Sequence, residues 1–574
     1  MHKESFQRAS AKHEDSRFLT GDRDPAIRLN RLREFIGEGF DSVVCTGRRS
    51  LAAVLILSLI PVAFLVLELQ LTKATGPQWT NYNFENSYPY LFNSLLILKG
   101  RPPAHIDHPG TTTQVFGALC LRLFQRGSNE KIIDRALKDP EKAIRTIHRL
   151  MLFVVALSMY GCSLWTCVAT KSLMSGFLVQ LPVLFFQIIC RYSIWYGSDL
   201  FVIFFAVIAL AALCILIKQR LTDRPSVAVV LILALACGLG IATKLTFFPI
   251  AILGFFLCCG LKHRMIFCAG VAFSTAIALL PIYSELHYIF AWVVALATHT
   301  GLYGTGSVGF IDQHQFSADV SVLIRSEPIL PFLVLGSIIA GVFLYCRSHF
   351  TGSNLSKRDF FWIAAALPIG QALGFVLIAK HANVHYLIPL LLTVGLNLYF
   401  LWFVLLAART LTELTIYRLG FYLLLIVCCF FTLRRQLDLF PELKGNQIAD
   451  TTAYREASTL AKNVPLVGYY RSSSPQFAEY FADGFAAHVF CVQLERKYPG
   501  AMFYNIFADQ FETWTKFTQP KEFFAAHAEF LAFGNSSIDL LQPRTVMTGN
   551  GRYALSLMWS KGGNRIYKVF RKSE

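Results

Sequence analysis

Residues 51–71 read LAAVLILSLIPVAFLVLELQL, an apolar run long enough, at about 1.5 Å per helical residue, to cross a ~30 Å hydrocarbon core. A polar tail carrying ten Lys and Arg, ending in Arg48 and Arg49, precedes it. The run starts too late, and no short apolar region comes before it, so no cleavable signal peptide is expected. Comparable runs recur near 150–170, 172–190, 199–217, 226–243, 245–261, 265–283, 329–346, 360–379, 386–407 and 419–433. The chain therefore reads as a polytopic α-helical membrane protein of about eleven spans.

Composition agrees. Of 574 residues, 54% are hydrophobic and only 16% charged, and the mean hydropathy is +0.48; a soluble domain of this size is far more polar. With the N-terminus placed in the cytoplasm, Lys171, the 218–224 loop, Lys262 to Arg264, the 347–358 loop and the 409–418 loop all fall inside, as the positive-inside rule requires. Segments 72–149, 284–328 and 434 onward then lie outside. The net charge of +17 sits largely in the tail and inner loops, which points to anionic membrane lipids as partners and not to nucleic acid. Most of the cysteines lie in spans as small apolar residues; only Cys120 and Cys491 fall outside, so no disulfide framework is expected.

Three regions follow: a cytoplasmic basic tail (1–50), a transmembrane domain (51–433) with a large first outer loop (72–149), and a C-terminal extracytoplasmic α/β domain (434–574). In the last, 465–470, 488–492 and 530–533 read as strands, and 447–462, 475–486 and 521–529 as helices. Lys561-Gly-Gly-Asn564 marks a hairpin between 554–559 and 565–570. No nucleophile elbow, metal cluster or phosphate loop is present there, so the domain reads as a packing or acceptor-guiding module.

The first outer loop is too long for a simple connector. Trp79, Tyr82, Phe84, Tyr88, Tyr90 and Phe92 suggest an interfacial aromatic face, and 131–148 an amphipathic helix lying on the membrane. Glu85 precedes the aromatic helix, and Asp107-His-Pro109 forms a turn; as plain structure, Glu85 caps a helix and Asp107 pins that turn. Lys244, at the mouth of a span, either snorkels to the headgroups or faces a polar cavity. Asp199 caps a span or bonds a ligand. Arg101, Arg191, Lys380, His381 and His385 gather at outer ends, where they face either anionic lipid or an anionic substrate. The glycine-rich loop 300–309 reads as a lid or as an idle loop.

These stretches resemble the C superfamily of glycosyltransferases (GT-C), similar in outline to protein O-mannosyltransferases and lipid A aminoarabinose transferases. The resemblance rests on the acidic residue soon after the first span, the aromatic helix ending at Lys99-Gly-Arg-Pro-Pro103, His108-Pro109, Gly240-Ile-Ala-Thr-Lys-Leu-Thr246 and Lys380-His-Ala-Asn-Val-His-Tyr-Leu-Ile-Pro389. The chain departs from the family pattern at Glu85, where Asp is usual, at Gly110, where a second Pro is usual, and at His385, where Arg is usual.

The resemblance implies transfer of a sugar from a polyprenyl-phosphate donor to a glycan, lipid or protein acceptor on the periplasmic or luminal face. Glu85, or failing it Asp107, would be the base. Arg101, His108, Arg191, Asp199, Lys244, Lys380, His381 and His385 would bind substrate. No cofactor is implied, and no ligand-spaced acidic or histidine cluster points to a metal. The rival class is a transporter or flippase of lipid-linked sugars, whose mark would be charge at mid-membrane; a scaffold with a degenerate cavity is the third.

Overall fold

The structure, a computed structural model, describes residues 47–571 apart from 82–83, 107–108, 223–224, 302–303, 348–356, 408–410, 470, 507 and 536–552. Nearly all of the basic tail, together with Asp107 and His108, thus lies outside the described residues.

Helix α1 (Gly47–Thr75) contains the first predicted span. Leu51, Leu55, Leu59, Val62 and Val66 are exposed at helical spacing, while Leu57, Phe64 and Leu71 are buried; one stripe faces lipid and the other the bundle. The segment between the first two predicted spans folds into α2 (Phe84–Leu98), α3 (Thr111–Phe124) and α4 (Asn129–Lys138). Its described aromatics are core, not interface: Trp79, Tyr88, Tyr90 and Phe92 are all buried. Nor is 131–148 one surface helix. It breaks at Asp139, whose side chain caps the next helix by accepting from the Lys142 N–H at 3.0 Å, and α5 (Pro140–Thr170) starts on a proline with no N–H to lose.

Stretch 172–190 is three short pieces, α6 (Leu173–Gln180), α7 (Pro182–Phe185) and α8 (Gln187–Ser193), with Phe186 extended between the last two. Broken backbone at membrane depth requires partners within the protein; here the buried Gln180 amide donates to the Leu57 carbonyl at 3.0 Å. Helix α9 (Ser198–Thr222) is apolar on all sides and buried on nearly all of them, the central post of the bundle. Around it run α10 (Val227–Thr243), α11 (Phe248–Leu257) and α12 (Gly260–Leu279). Small residues bring α10 and α12 together: a Cβ on Gly238 would lie 1.9 Å from the Ser274 hydroxyl, and one on Gly270 would lie 2.8 Å from the Ala234 methyl.

The chain continues through α13 (Leu286–Thr298), α14 (Gln313–Ser326), α15 (Ile329–Arg347), α16 (Lys357–Ala379), a 3-10 turn Val384–Leu387, α17 (Ile388–Leu392), α18 (Val394–Ala407) and α19 (Leu411–Leu437). Every predicted span is largely helical, with breaks at Leu181, Phe186, Cys258–Cys259 and Thr393. Among the described residues six stretches are long and apolar enough to cross a membrane, or seven if α14 and α15, bent by 80°, form one span. The protein is an integral, multi-pass membrane protein.

Beyond the bundle, α20 (Leu439–Leu460), α21 (Pro475–Gly484), α22 (Cys491–Lys497) and α23 (Pro520–Ala526) accompany one seven-stranded sheet. Its strands are β1 (Leu466–Gly468), β2 (Met502–Asn505), β3 (Gln510–Glu512), β4 (Phe517–Thr518), β5 (Glu529–Asn535), β6 (Tyr553–Lys561) and β7 (Asn564–Arg571), in the order β4-β3-β2-β1-β5-β7-β6. β1 is parallel to both neighbours, and the other pairs are antiparallel. The β6–β7 hairpin closes through Gly562 and Gly563, both at positive φ, as a two-residue turn of this kind demands. The strand read at 488–492 is absent. Ala487 and His488 are both left-handed, Asp483 Oδ1 accepts the Phe490 N–H at 2.9 Å, and the chain goes directly into α22.

Candidate functional site

Several chain breaks meet at one end of the bundle. Asp199 occupies the first turn of α9 and is buried. Lys244 follows the last residue of α10, in extended backbone, before a 3-10 turn leads into α11. Its Nζ lies 2.7 Å from Asp199 Oδ1, with the two side chains only 3% and 5% exposed. The ammonium also sits 5.2 Å from the centre of the Tyr386 ring. Tyr386 belongs to the Val384–Leu387 turn, and the adjacent His385 stacks on Tyr192 at 4.8 Å and meets Asn383 Oδ1 through Nδ1 at 2.7 Å. The start of α3 reaches the same junction: Thr112 and Thr243 hydroxyls are 2.6 Å apart, and α3 begins from Gly110 in left-handed backbone without a side-chain cap.

Helix α2, which bears Glu85 in its first turn, is fixed by buried polar groups. The Glu85 side chain itself lies outside the described residues. Asn93 Oδ1 accepts the N–H groups of Ala104 and His105 at 2.7 and 2.9 Å, and its amide donates to the Phe485 carbonyl at 3.1 Å. Ser94 shares a 2.9 Å bond with the Tyr196 hydroxyl, which donates to Thr113 O at 3.1 Å. Glu141, at the start of α5, accepts from the Gln78 N–H and the Tyr88 hydroxyl, both at 2.8 Å. Satisfied networks of this kind specify one arrangement, since each unmade bond inside costs about 1–3 kcal/mol. Sequence reading missed these groups; Glu141 carries a signal, an acid two residues after a capping Asp, but that signal predicts only a helix start.

The remaining predicted residues are placed elsewhere. Arg101 is exposed just past α2, whose end closes through Gly100 at positive φ and the Arg101 N–H to Leu96 O at 2.9 Å. Arg191 pairs with Glu442 of α20 at 2.5 Å. Lys380 donates to the Ala297 carbonyl at 2.7 Å and lies over Phe310, while the His381 ring meets the Leu296 and Gly301 carbonyls. Together they hold the glycine-rich loop and line a separate cavity of about 460 Å³ with Asp312 and Asp319. So Asp199 and Lys244 meet directly, His385 lies beside the Tyr386 ring that the ammonium faces, and Lys380 and His381 line a different cavity. Among the described residues, no three His, Cys, Asp or Glu side chains converge as a metal-ligand set.

Glu68 was also unforeseen. It sits within α1, fully buried, and among the described residues neither oxygen has a hydrogen-bond partner other than the neighbouring Cys190.

The C-terminal region grips this end. Asp450 of α20 accepts from the Asn81 N–H at 2.7 Å and from the Asn564 amide at 2.8 Å, and burial raises its carboxyl above the usual range. Glu479 is held by Lys497 at 2.7 Å and the Tyr498 hydroxyl at 2.8 Å; burial nevertheless pushes it up to about 7. Lys497 also donates to Leu137 O of α4 at 2.8 Å. His488 is raised chiefly by its bond to Asp483.

No family model and no curated protein matches the chain. Among solved structures it is similar to ArnT from Cupriavidus metallidurans bound to undecaprenyl phosphate, at 11% identity and a TM-score of 0.46, over 90% of this chain and 97% of that one. It is likewise similar to the apo state of the same ArnT, at 12% identity and a TM-score of 0.45, over 88% and 97%.

Proposed function

We propose that this protein is a membrane glycosyltransferase that moves a sugar from a polyprenyl-phosphate donor to an acceptor hydroxyl on the outer face, its N-terminus and basic tail being cytoplasmic and residues 434–574 extracytoplasmic. The observation that carries the reading is the buried Asp199–Lys244 pair, at a junction of helix ends beside His385, Tyr386 and the start of α3. A buried charge pair among apolar spans is a functional hypothesis by default. An ammonium has three N–H donors, so bonding Asp199 leaves others for a phosphate oxygen.

In this reading Glu85 removes the proton from the acceptor hydroxyl. The freed oxygen forms a bond to the anomeric carbon as the bond from that carbon to the phosphate oxygen breaks, and polyprenyl phosphate leaves with the electron pair. Asp107 is the alternative base. Lys244 and His385 stabilise the departing phosphate, Asp199 holds Lys244 in place, and Arg101 and His108 are further substrate-binding residues of this reading. Arg191, Lys380 and His381 are placed too far into other contacts to be first choices. Asp199 and Lys244 sit at the ends of α9 and α10, not at their midpoints, which favours chemistry at an interface over passage through the bilayer.

The test uses purified protein in lipid with a panel of polyprenyl-phosphate sugars and acceptors. Wild type should release polyprenyl phosphate, and Glu85→Gln should do so at least about 100-fold more slowly. No release across the panel, together with labelled lipid crossing the bilayer, would replace this reading with a flippase.

A further inference from the structure

Away from that cluster, the last turns of α1 and the first turns of α5 border a cavity of about 710 Å³. The two helices run antiparallel, and both change character at the same level. Lys73 ends α1, while Leu65 and Leu69 lie one to two turns deeper; Arg145 and Arg149 open α5, and Phe153 lies one turn deeper. The groove thus has three cations at one end and an apolar floor along the rest. Leu69 and Phe153 are 37% and 56% exposed, open to the outside of the bundle.

The cations are underpaired. Arg145 has Glu141 at 3.6 Å, but that carboxylate is already engaged by Gln78 and Tyr88. Neither Lys73 nor Arg149 has a carboxylate partner among the described residues. Three positive groups at the edge of the hydrocarbon, above a narrow apolar track, complement a molecule with negative charge at one end and a hydrocarbon chain at the other.

We infer that this groove binds an anionic phospholipid, its phosphate held by Lys73, Arg145 and Arg149 and one acyl chain laid along Leu65, Leu69 and Phe153. The groove shares no residue with the Asp199–Lys244 cluster, so the inference is independent of the proposed transfer reaction. Bound there, the lipid pins α1 to α5.

The experiment is native mass spectrometry of the full chain in detergent, incubated with phosphatidylglycerol or with phosphatidylcholine of the same acyl chains. Wild type should retain phosphatidylglycerol preferentially. A basic residue at a membrane surface strengthens anionic-lipid attraction about fivefold, so Lys73→Gln with Arg149→Gln should weaken that retention roughly 30-fold. Lys262→Gln, an exposed cation on α12, should leave it intact. Leu69→Trp, which fills the floor and keeps every charge, should also reduce retention; it supplies the readout should the double variant fail to fold. Equal retention of the two lipids by wild type, or unchanged phosphatidylglycerol retention in the groove variants, would overturn the inference.

Discussion

Replacing Lys244 by Met tests the Asp199–Lys244 pair most directly. At 2.7 Å, an effective dielectric of about 20 gives an attraction of about 6 kcal/mol, most of which offsets the desolvation of the two ions. The single variant leaves Asp199 buried without its partner and removes the cation above Tyr386, for a loss of about 3–5 kcal/mol. Asp199→Asn strands the ammonium and should cost a similar amount. The double variant buries no net charge and should return to within about 2 kcal/mol of wild type, since a neutral replacement of a buried pair is often tolerated. Denaturant unfolding in detergent micelles, followed by tryptophan fluorescence, measures all four corners of the cycle. Transfer activity then separates structure from chemistry: the double variant should be stable and still inactive. Additive losses would show that the two side chains are not coupled, and a stable, fully active double variant would show that the pair only braces the helices.

Three further outcomes are expected. Gly117→Ala would bring a methyl within 2.0 Å of the Tyr196 hydroxyl and 2.4 Å of Ser94 Oγ; overpacking of this kind should cost about 1–3 kcal/mol in the same unfolding assay. Glu479, raised to about 7 from an ordinary 4.5, takes up a proton more readily folded than unfolded. Its contribution to stability is therefore complete below about 4.5 and is lost as pH rises through about 7, on the order of 3 kcal/mol in all, and melting curves of Glu479→Gln should lack that slope. Transfer activity should survive EDTA; strong loss restored by Mg²⁺ or Mn²⁺ would contradict a metal-free site.

The spans were legible because a hydrocarbon core imposes a length and a composition that survive without any partner. Where spans break, as at Phe186 and Thr393, the surrounding sequence stays largely apolar, and the break at Thr393 depends on remote groups: Gln371 of α16 meets Thr393 Oγ1 at 2.9 Å and Asn397 Oδ1 at 2.6 Å. The same reason hides the site's scaffold. Asn93 and Tyr196 read as ordinary residues of an aromatic helix and a turn, and their roles come from atoms tens or hundreds of positions away. Lys244 and Asp199 were visible singly as ions at span mouths, but their 45-residue separation gave no hint that they pair. The β6–β7 hairpin was read from two glycines, and three-residue β1 from the apolar run 465–470 around it; β2, β3 and β4, of two to four residues, were missed because so short a strand carries little alternation of its own.

The bonds from Asp450 to Asn81 and from Phe485 to Asn93 also set an order of events during synthesis. The membrane helices can insert one after another as they leave the ribosome, and the helix carrying Glu85 can bond Glu141 and Tyr196 early, but its bond to Phe485, and that from Asn81 just ahead of it to Asp450, wait for residues some 370 to 390 positions later. The last contacts around that helix are therefore made at the end of translation. A chain halted before α20 would sit in the bilayer with its spans in place and without the bonds from Asp450 and Phe485.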